Sequence, residues 1–163
     1  MNSSGSKARC RNRKETVRMK KLVVTLLAAL FVTAAIAQIE STPAADRMYE
    51  VVQEAANESW MQIGVDDAVD YIFDVMPVLV DVRTVDEFSD GYLEGAVNFP
   101  VQTIGEYLGD MPADLDTPIL VYCAAGTRGF WATAYITSLG FTNVKNLRGG
   151  YNAWVDAGYP TAP

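Results

Sequence analysis

Two spacings of apolar residues alternate along most of the chain. Met48, Val51, Val52 and Ala55 recur at helical spacing among Glu50, Glu54 and Glu58, which predicts an amphipathic helix over 45–59. A short apolar segment over 60–63 ends at Gly64. Asp66 and Asp67 then suit the positive N-terminal end of a second helix over 66–74. After Pro77 comes Val78-Leu79-Val80-Asp81-Val82, a nearly unbroken apolar run typical of a strand covered on both faces. Thr84-x-x-Glu87 is a capping box that opens one helical turn, and Thr103-x-x-Glu106 repeats its signature. Between the two boxes, 91–95 reads as a loop leading into Ala96-Val97-Asn98-Phe99.

Pro118-Ile119-Leu120-Val121-Tyr122 is a second strand of the buried kind, followed at once by Cys123. Residues 129–139 read as a helix closed by Gly140 in the position after the cap. A strand over 143–147, a Gly149-Gly150 reversal and a last helix over 151–157, stopped by Gly158, complete the pattern. Strands alternating with helices predict an α/β fold, a sandwich of helices on a mainly parallel central sheet. In such folds ligands gather at the carboxyl ends of the strands, and Cys123 stands at one of them.

Charge divides the chain in two. Residues 1–37 carry eight of the 13 basic residues and one of the 20 acids, Glu15, so residues 38–163 hold 5 basic and 19 acidic residues, net −14. Lys20-Lys21, an apolar run over 22–37 and Ala35-Ile36-Ala37 together make a secretory signal peptide, with cleavage expected after Ala37. The run is shorter than the ~20 residues that span a bilayer, so no stable membrane anchor is expected after cleavage. Met19 is itself an ordinary start for such a leader, so residues 1–18 are either an over-called start or a long n-region. The expected organisation is a leader over 1–37, a helical flank over 38–59 and one domain over 60–163, exported to the periplasm. The acidity of that part argues against nucleic acid and anionic membranes as partners.

No histidine occurs in the chain. That removes a Ser-His-Asp triad, a Cys-His dyad and any His-ligated zinc or haem. No metal and no cofactor are expected. Cleavage of the leader also removes Cys10, leaving Cys123 as a free thiol in an oxidising compartment. A cysteine between a buried strand and a helix is as often packing as chemistry. Its neighbours shift the balance. Ala124, Ala125, Gly126 and Gly129 are small enough for the backbone to curl and aim successive N–H groups at one point, an anion cradle completed by the next helix. That field also favours a thiolate nucleophile without a histidine. Thr127 continues the loop, and Arg128 closes it with a planar guanidinium suited to gripping an oxyanion.

The chain resembles the rhodanese family of sulfurtransferases. The resemblance rests on Val78-Leu79-Val80-Asp81-Val82-Arg83, on Glu87-Phe88 with Gly91-Tyr92-Leu93-Glu94-Gly95-Ala96-Val97-Asn98, on the loop 123–128, and on Leu147-Arg148-Gly149-Gly150-Tyr151-Asn152-Ala153-Trp154. It covers about residues 60–160 and implies a rhodanese-like three-layer sandwich. It also implies a Cys123 persulfide that takes sulfane sulfur from a donor such as thiosulfate and passes it to cyanide or a thiol. Ala124, Ala125, Gly126, Thr127 and Arg128 would form the substrate-binding loop. A non-catalytic sulfur carrier or protein-binding module is the alternative. The related phosphatases carry a loop one residue longer, wide enough for a phosphate-sized centre.

Two departures from the family pattern stand out: Tyr92 stands where histidine is frequent, and Phe130 and Trp131 replace small residues and are expected at the pocket mouth. Asp81 and Arg83 are expected to pair with each other or with loop backbone as structural support. Arg148 has two readings, a place flanking the pocket and a surface ion pair, of which the ion pair is favoured; Tyr151 and Trp154 are expected in the core.

Overall fold

The computed structural model describes residues 43–57 and 61–163. The predicted leader lies outside the described residues, as do 38–42 and 58–60. In chain order the elements are α1 (Pro43–Asn57), β1 (Gln62–Ile63), α2 (Val65–Val75), β2 (Val78–Asp81), α3 (Val85–Ser89) and β3 (Val97–Asn98). A 3-10 helix (Ile104–Asp110), β4 (Ile119–Tyr122), α4 (Thr127–Ser138), β5 (Val144–Leu147) and α5 (Gly150–Asp156) follow.

The five strands form one sheet in the order β1-β5-β4-β2-β3, and every neighbouring pair is parallel. Apolar side chains alternate between its faces, as strand geometry requires. Val80, Val82, Ile119 and Val121 pack on one face with Ala132 and Ile136 of α4 and with Ile104. Leu79, Leu120, Tyr122 and Leu147 pack on the other with Ala68 of α2 and Trp154 of α5. The result is the three-layer α/β sandwich with a parallel sheet. All four residues of β4 are buried, which accounts for their unbroken apolar run. The flanking helix α1 lies against α4, with Val51 packed on Met61 and Ala134.

Three local expectations change. Thr103 does not cap an α-helix. It sits at φ −125°, ψ 15° with no side-chain cap, and its hydroxyl turns back to Pro100 O at 3.5 Å. With Gly105 and Gly109 in the segment, a 3-10 turn replaces the α-turn. Helix α4 begins at Thr127 rather than 129, so Arg128 lies in its first turn. Gly150 is the first residue of α5 rather than part of a free reversal.

Candidate active site

Parallel pairing aligns the carboxyl ends of β2 and β4, with Asp81 opposite Tyr122. Two segments distant in sequence, 82–87 and 123–128, thereby emerge side by side. Cys123 follows β4 with the facing of Ile119 and Val121 and is 1% exposed. The chain then curls through Ala124 and Ala125 to Gly126, whose φ of +93° turns it directly into α4. A Cβ there would come within 3.0 Å of Gly149 N, so the turn requires glycine on both conformational and steric grounds. The Gly126 N–H donates to Cys123 Sγ at 3.2 Å. Thr127, Arg128 and Gly129 open α4, and N–H groups of a first helical turn have no partner within their helix. The sulfur thus accepts from the Gly126 amide close to the positive end of a twelve-residue helix.

The first turn of α5 holds this loop from behind. Tyr151 N–H donates to Cys123 O at 2.7 Å and Asn152 N–H to Ala124 O at 3.0 Å. A trans peptide directs its N–H opposite to its carbonyl, so capturing these two carbonyls turns the Ala124 and Ala125 amides away from α5. Gly150 permits the close seating: a Cβ on it would overlap the Cys123 carbonyl. Buried Asn146 adds a third support, its Nδ2 donating to Gly126 O at 3.2 Å.

Arg128 is clamped by Glu87. Nη1 donates to Glu87 Oε2 at 2.8 Å and Nη2 to Oε1 at 2.6 Å. Glu87 Oε2 also accepts from Thr84 N and Thr84 Oγ1, both at 3.0 Å, while Thr84 Oγ1 caps α3 by accepting from Glu87 N at 3.2 Å. The capping box expected at 84–87 is therefore present, and its carboxylate has a second task. Arg128, followed by the Thr84 hydrogen bonds, holds the Glu87 carboxyl down to about 2. Reciprocally, Glu87 and then the Cys123 sulfur push the guanidinium further up. Two of the five guanidinium N–H groups bind Glu87, and the Cys123 sulfur is near enough to act on the same guanidinium. Glu87 is the functional residue that sequence reasoning missed. Capping accounted for it completely, and 41 residues separate it from Arg128.

Stability should reveal the clamp. A carboxyl held below its unfolded value stabilises the fold above that unfolded value and loses the contribution as pH falls through the folded one. Wild type should therefore exceed Glu87→Gln in stability at neutral pH, and the gap should close between pH of about 4.5 and about 2. Both side chains are about a third exposed, so the gap should stay below about 1 kcal/mol. Denaturant titrations across that pH range would measure it. A constant gap would exclude the Glu87 charge as its source.

Asp81 and Arg83 pair with each other and with loop backbone. Arg83 Nε donates to Asp81 Oδ1 at 3.1 Å and Oδ2 at 2.9 Å, and Nη2 reaches Asp81 Oδ2 at 2.7 Å and Gly91 O at 2.6 Å. Both are buried, so pairing is what makes their charges tolerable. The guanidinium also lies 4.0 Å over the Tyr151 ring, which ties this pair to the helix holding Cys123 O. Tyr151 is half-buried, lying against Arg83 and packed on the core cluster that contains the buried Trp154. Tyr92 stacks on Phe88 at 4.1 Å and bridges Ala162, as a turn residue would.

Arg148 makes no ion pair among the described residues and is exposed. It instead borders a pocket of ≈ 290 Å³ together with Gly149, Ala125, Gly126 and Thr127. Gln62 and Phe130 complete the lining. Phe130 thus takes the expected place at the pocket. Trp131, 66% exposed, only touches it edge-on, with ring centroids 5.8 Å apart.

The family model of the rhodanese-like domain matches residues 65–157. A protein named sulfurtransferase from Allochromatium vinosum is 37% identical over 83 residues, 51% of this chain and 76% of its own length. Thiosulfate sulfurtransferase GlpE of Shewanella oneidensis is 34% identical over 79 residues, 48% of this chain and 76% of that protein. Among solved structures, a rhodanese-related protein of Thermoplasma volcanium superposes with a TM-score of 0.57 at 26% identity, covering 63% of this chain and 98% of the other.

Proposed function

From the premise that the chain belongs to the rhodanese-like domain family, we propose that it is a sulfurtransferase working through a Cys123 persulfide. The observation that carries this reading is the 3.2 Å hydrogen bond from Gly126 N–H to Cys123 Sγ, inside a six-residue loop at the positive end of α4. Relatives named sulfurtransferase and thiosulfate sulfurtransferase support the reaction class.

The Cys123 thiolate attacks the outer sulfur of a donor such as thiosulfate. A Cys123–sulfur bond forms, the donor S–S bond breaks, and sulfite leaves with the electron pair. Loop amides take up the negative charge of the persulfide, and the free N–H groups of Arg128 face the donor's oxyanion. An acceptor, cyanide or a thiol, then attacks the outer sulfur, and the electron pair of the breaking bond returns to Cys123.

Mass spectrometry after thiosulfate treatment tests this: a gain of one sulfur on Cys123 is expected. A second reading, a non-catalytic carrier or binding module, draws on the 1% exposure of Cys123. No sulfur adduct on a thiol that still alkylates would favour it.

Loop size predicts selectivity. Six residues from Cys123 to Arg128 enclose less space than a phosphate-sized centre needs, so generic aryl phosphates should not be turned over. Phosphate release that depends on Cys123 would overturn the size argument.

We also propose that the protein acts after export to the periplasm, on the strength of the leader pattern in 1–37. Envelope material should begin at Gln38 on N-terminal sequencing. A start at Met1 or Met19 would refute cleavage.

A further inference from the structure

The cysteine loop lies between two arginines of unlike electrostatic status. The sheet order β1-β5-β4-β2-β3 puts β2 on one side of β4 and β5 with β1 on the other. On the β2 side Arg128 is neutralised by Glu87. On the β5 side Arg148 immediately follows β5, with its backbone N–H fixed to Ile63 O at 2.9 Å. Residues 38–163 contain five basic side chains. Arg47 pairs with Glu50, Arg83 with Asp81 and Arg128 with Glu87, and Lys145 lies 5.7 Å from the Tyr71 ring. Arg148 is thus the arginine without an acidic partner among the described residues, in a region of net charge −14.

Its position is chemically specific. Arg148 borders the pocket that Gly126 also lines, the same residue whose N–H reaches Cys123 Sγ. At ≈ 290 Å³ the space is near the lower end of small-molecule sites. Phe130 supplies an apolar wall, and Gln62 and Thr127 supply polar groups. An organic ligand with a short aliphatic body and one anionic end fits that lining.

Resting on the sulfurtransferase reading above, we propose that this pocket binds the acceptor, a low-molecular-weight thiol carrying a carboxylate, and that Arg148 selects it by pairing with the carboxylate. The aliphatic body lies along Phe130 and the thiol reaches the outer sulfur of the persulfide. The thiol's proton passes to that outer sulfur and the acceptor sulfur bonds to it. The bond to Cys123 Sγ breaks with its electron pair returning to cysteine, and the product leaves as a hydropersulfide. No net oxidation occurs. The donor half-reaction does not use Arg148, which gives the two arginines separate duties.

The test uses enzyme preloaded with thiosulfate, persulfide formation being confirmed by intact mass. Single-turnover discharge is then followed with 3-mercaptopropionate and with its methyl ester, for wild type and Arg148→Gln. The substitution should raise the half-saturating concentration of the carboxylate thiol about tenfold and leave the ester within about twofold. Arg148→Lys should recover part of the loss, since it restores charge without the planar fork. The thiosulfate dependence of loading should move less than about threefold in Arg148→Gln, as for a remote surface charge. Equal effects on acid and ester would overturn the assignment of Arg148. A loss confined to loading would give the pocket to the donor and equally overturn it. If no persulfide forms in wild type, the sulfurtransferase reading itself falls, and this proposal with it.

Discussion

Cys123→Ser should abolish sulfur transfer while leaving the fold intact. Serine fits the space of the cysteine, and the supports of the loop are groups that the change does not touch: Tyr151 N–H on the residue-123 carbonyl, Asn152 N–H on Ala124 O and the Asn146 side chain on Gly126 O. The Gly126 N–H can donate to oxygen as it does to Sγ. What disappears is a soft nucleophile able to carry a second sulfur. Without a histidine in the chain, no neighbouring imidazole can activate a hydroxyl in its place. The expected loss is about 10³-fold or more, the scale on which removing a covalent nucleophile is felt. Thiocyanate formation from thiosulfate and cyanide measures activity, and thermal unfolding checks the fold. Residual transfer above a few per cent, with unchanged stability, would remove Cys123 from its role.

Replacing Arg128 should separate donor capture from chemistry. In Arg128→Ala the loop amides and the helix dipole persist, because they belong to the backbone. The guanidinium is lost, and Glu87, now without its partner, remains as a bare negative charge beside the site. Both changes oppose an anionic donor in a strongly acidic domain. A charge-assisted hydrogen bond contributes roughly 1.5–3 kcal/mol, so the KM for thiosulfate should rise about ten- to a hundredfold. Discharge of a preformed persulfide to a neutral acceptor should suffer much less. Arg128→Lys should recover only part of the loss, since an ammonium cannot make the two-pronged contact with Glu87 and face the donor together. Steady-state kinetics with thiosulfate, alongside single-turnover discharge, would check both halves. Equal losses in the two half-reactions would mean that Arg128 holds the loop in shape rather than binding the donor.

Much of this architecture was legible from residues close together in the chain. Alternation of buried strands and amphipathic helices points to a parallel α/β sandwich because each element must bury one or both faces, and β2 and β4 are apolar on both sides. The cysteine loop was legible because small residues, a left-handed glycine and a following helix act within a six-residue window. The Thr84 box was legible for the same reason, since a cap is a contact over three residues. The identical signature at Thr103 failed, because its glycines favour a 3-10 turn over the α-helix that the box would start. The Asp81–Arg83 pair was legible too, a contact over two residues, whereas the tertiary structure alone decided what Glu87, Arg128 and Arg148 do. Strand order brought Glu87 to Arg128 across 41 residues, seated α5 under the Cys123 carbonyl, and set Arg148 against a pocket instead of in a surface ion pair. Charges carry no periodicity that announces their partners. Hydrogen-bonded ion pairs form only at contact distance, and which residues reach that distance is settled by the sheet's order and register.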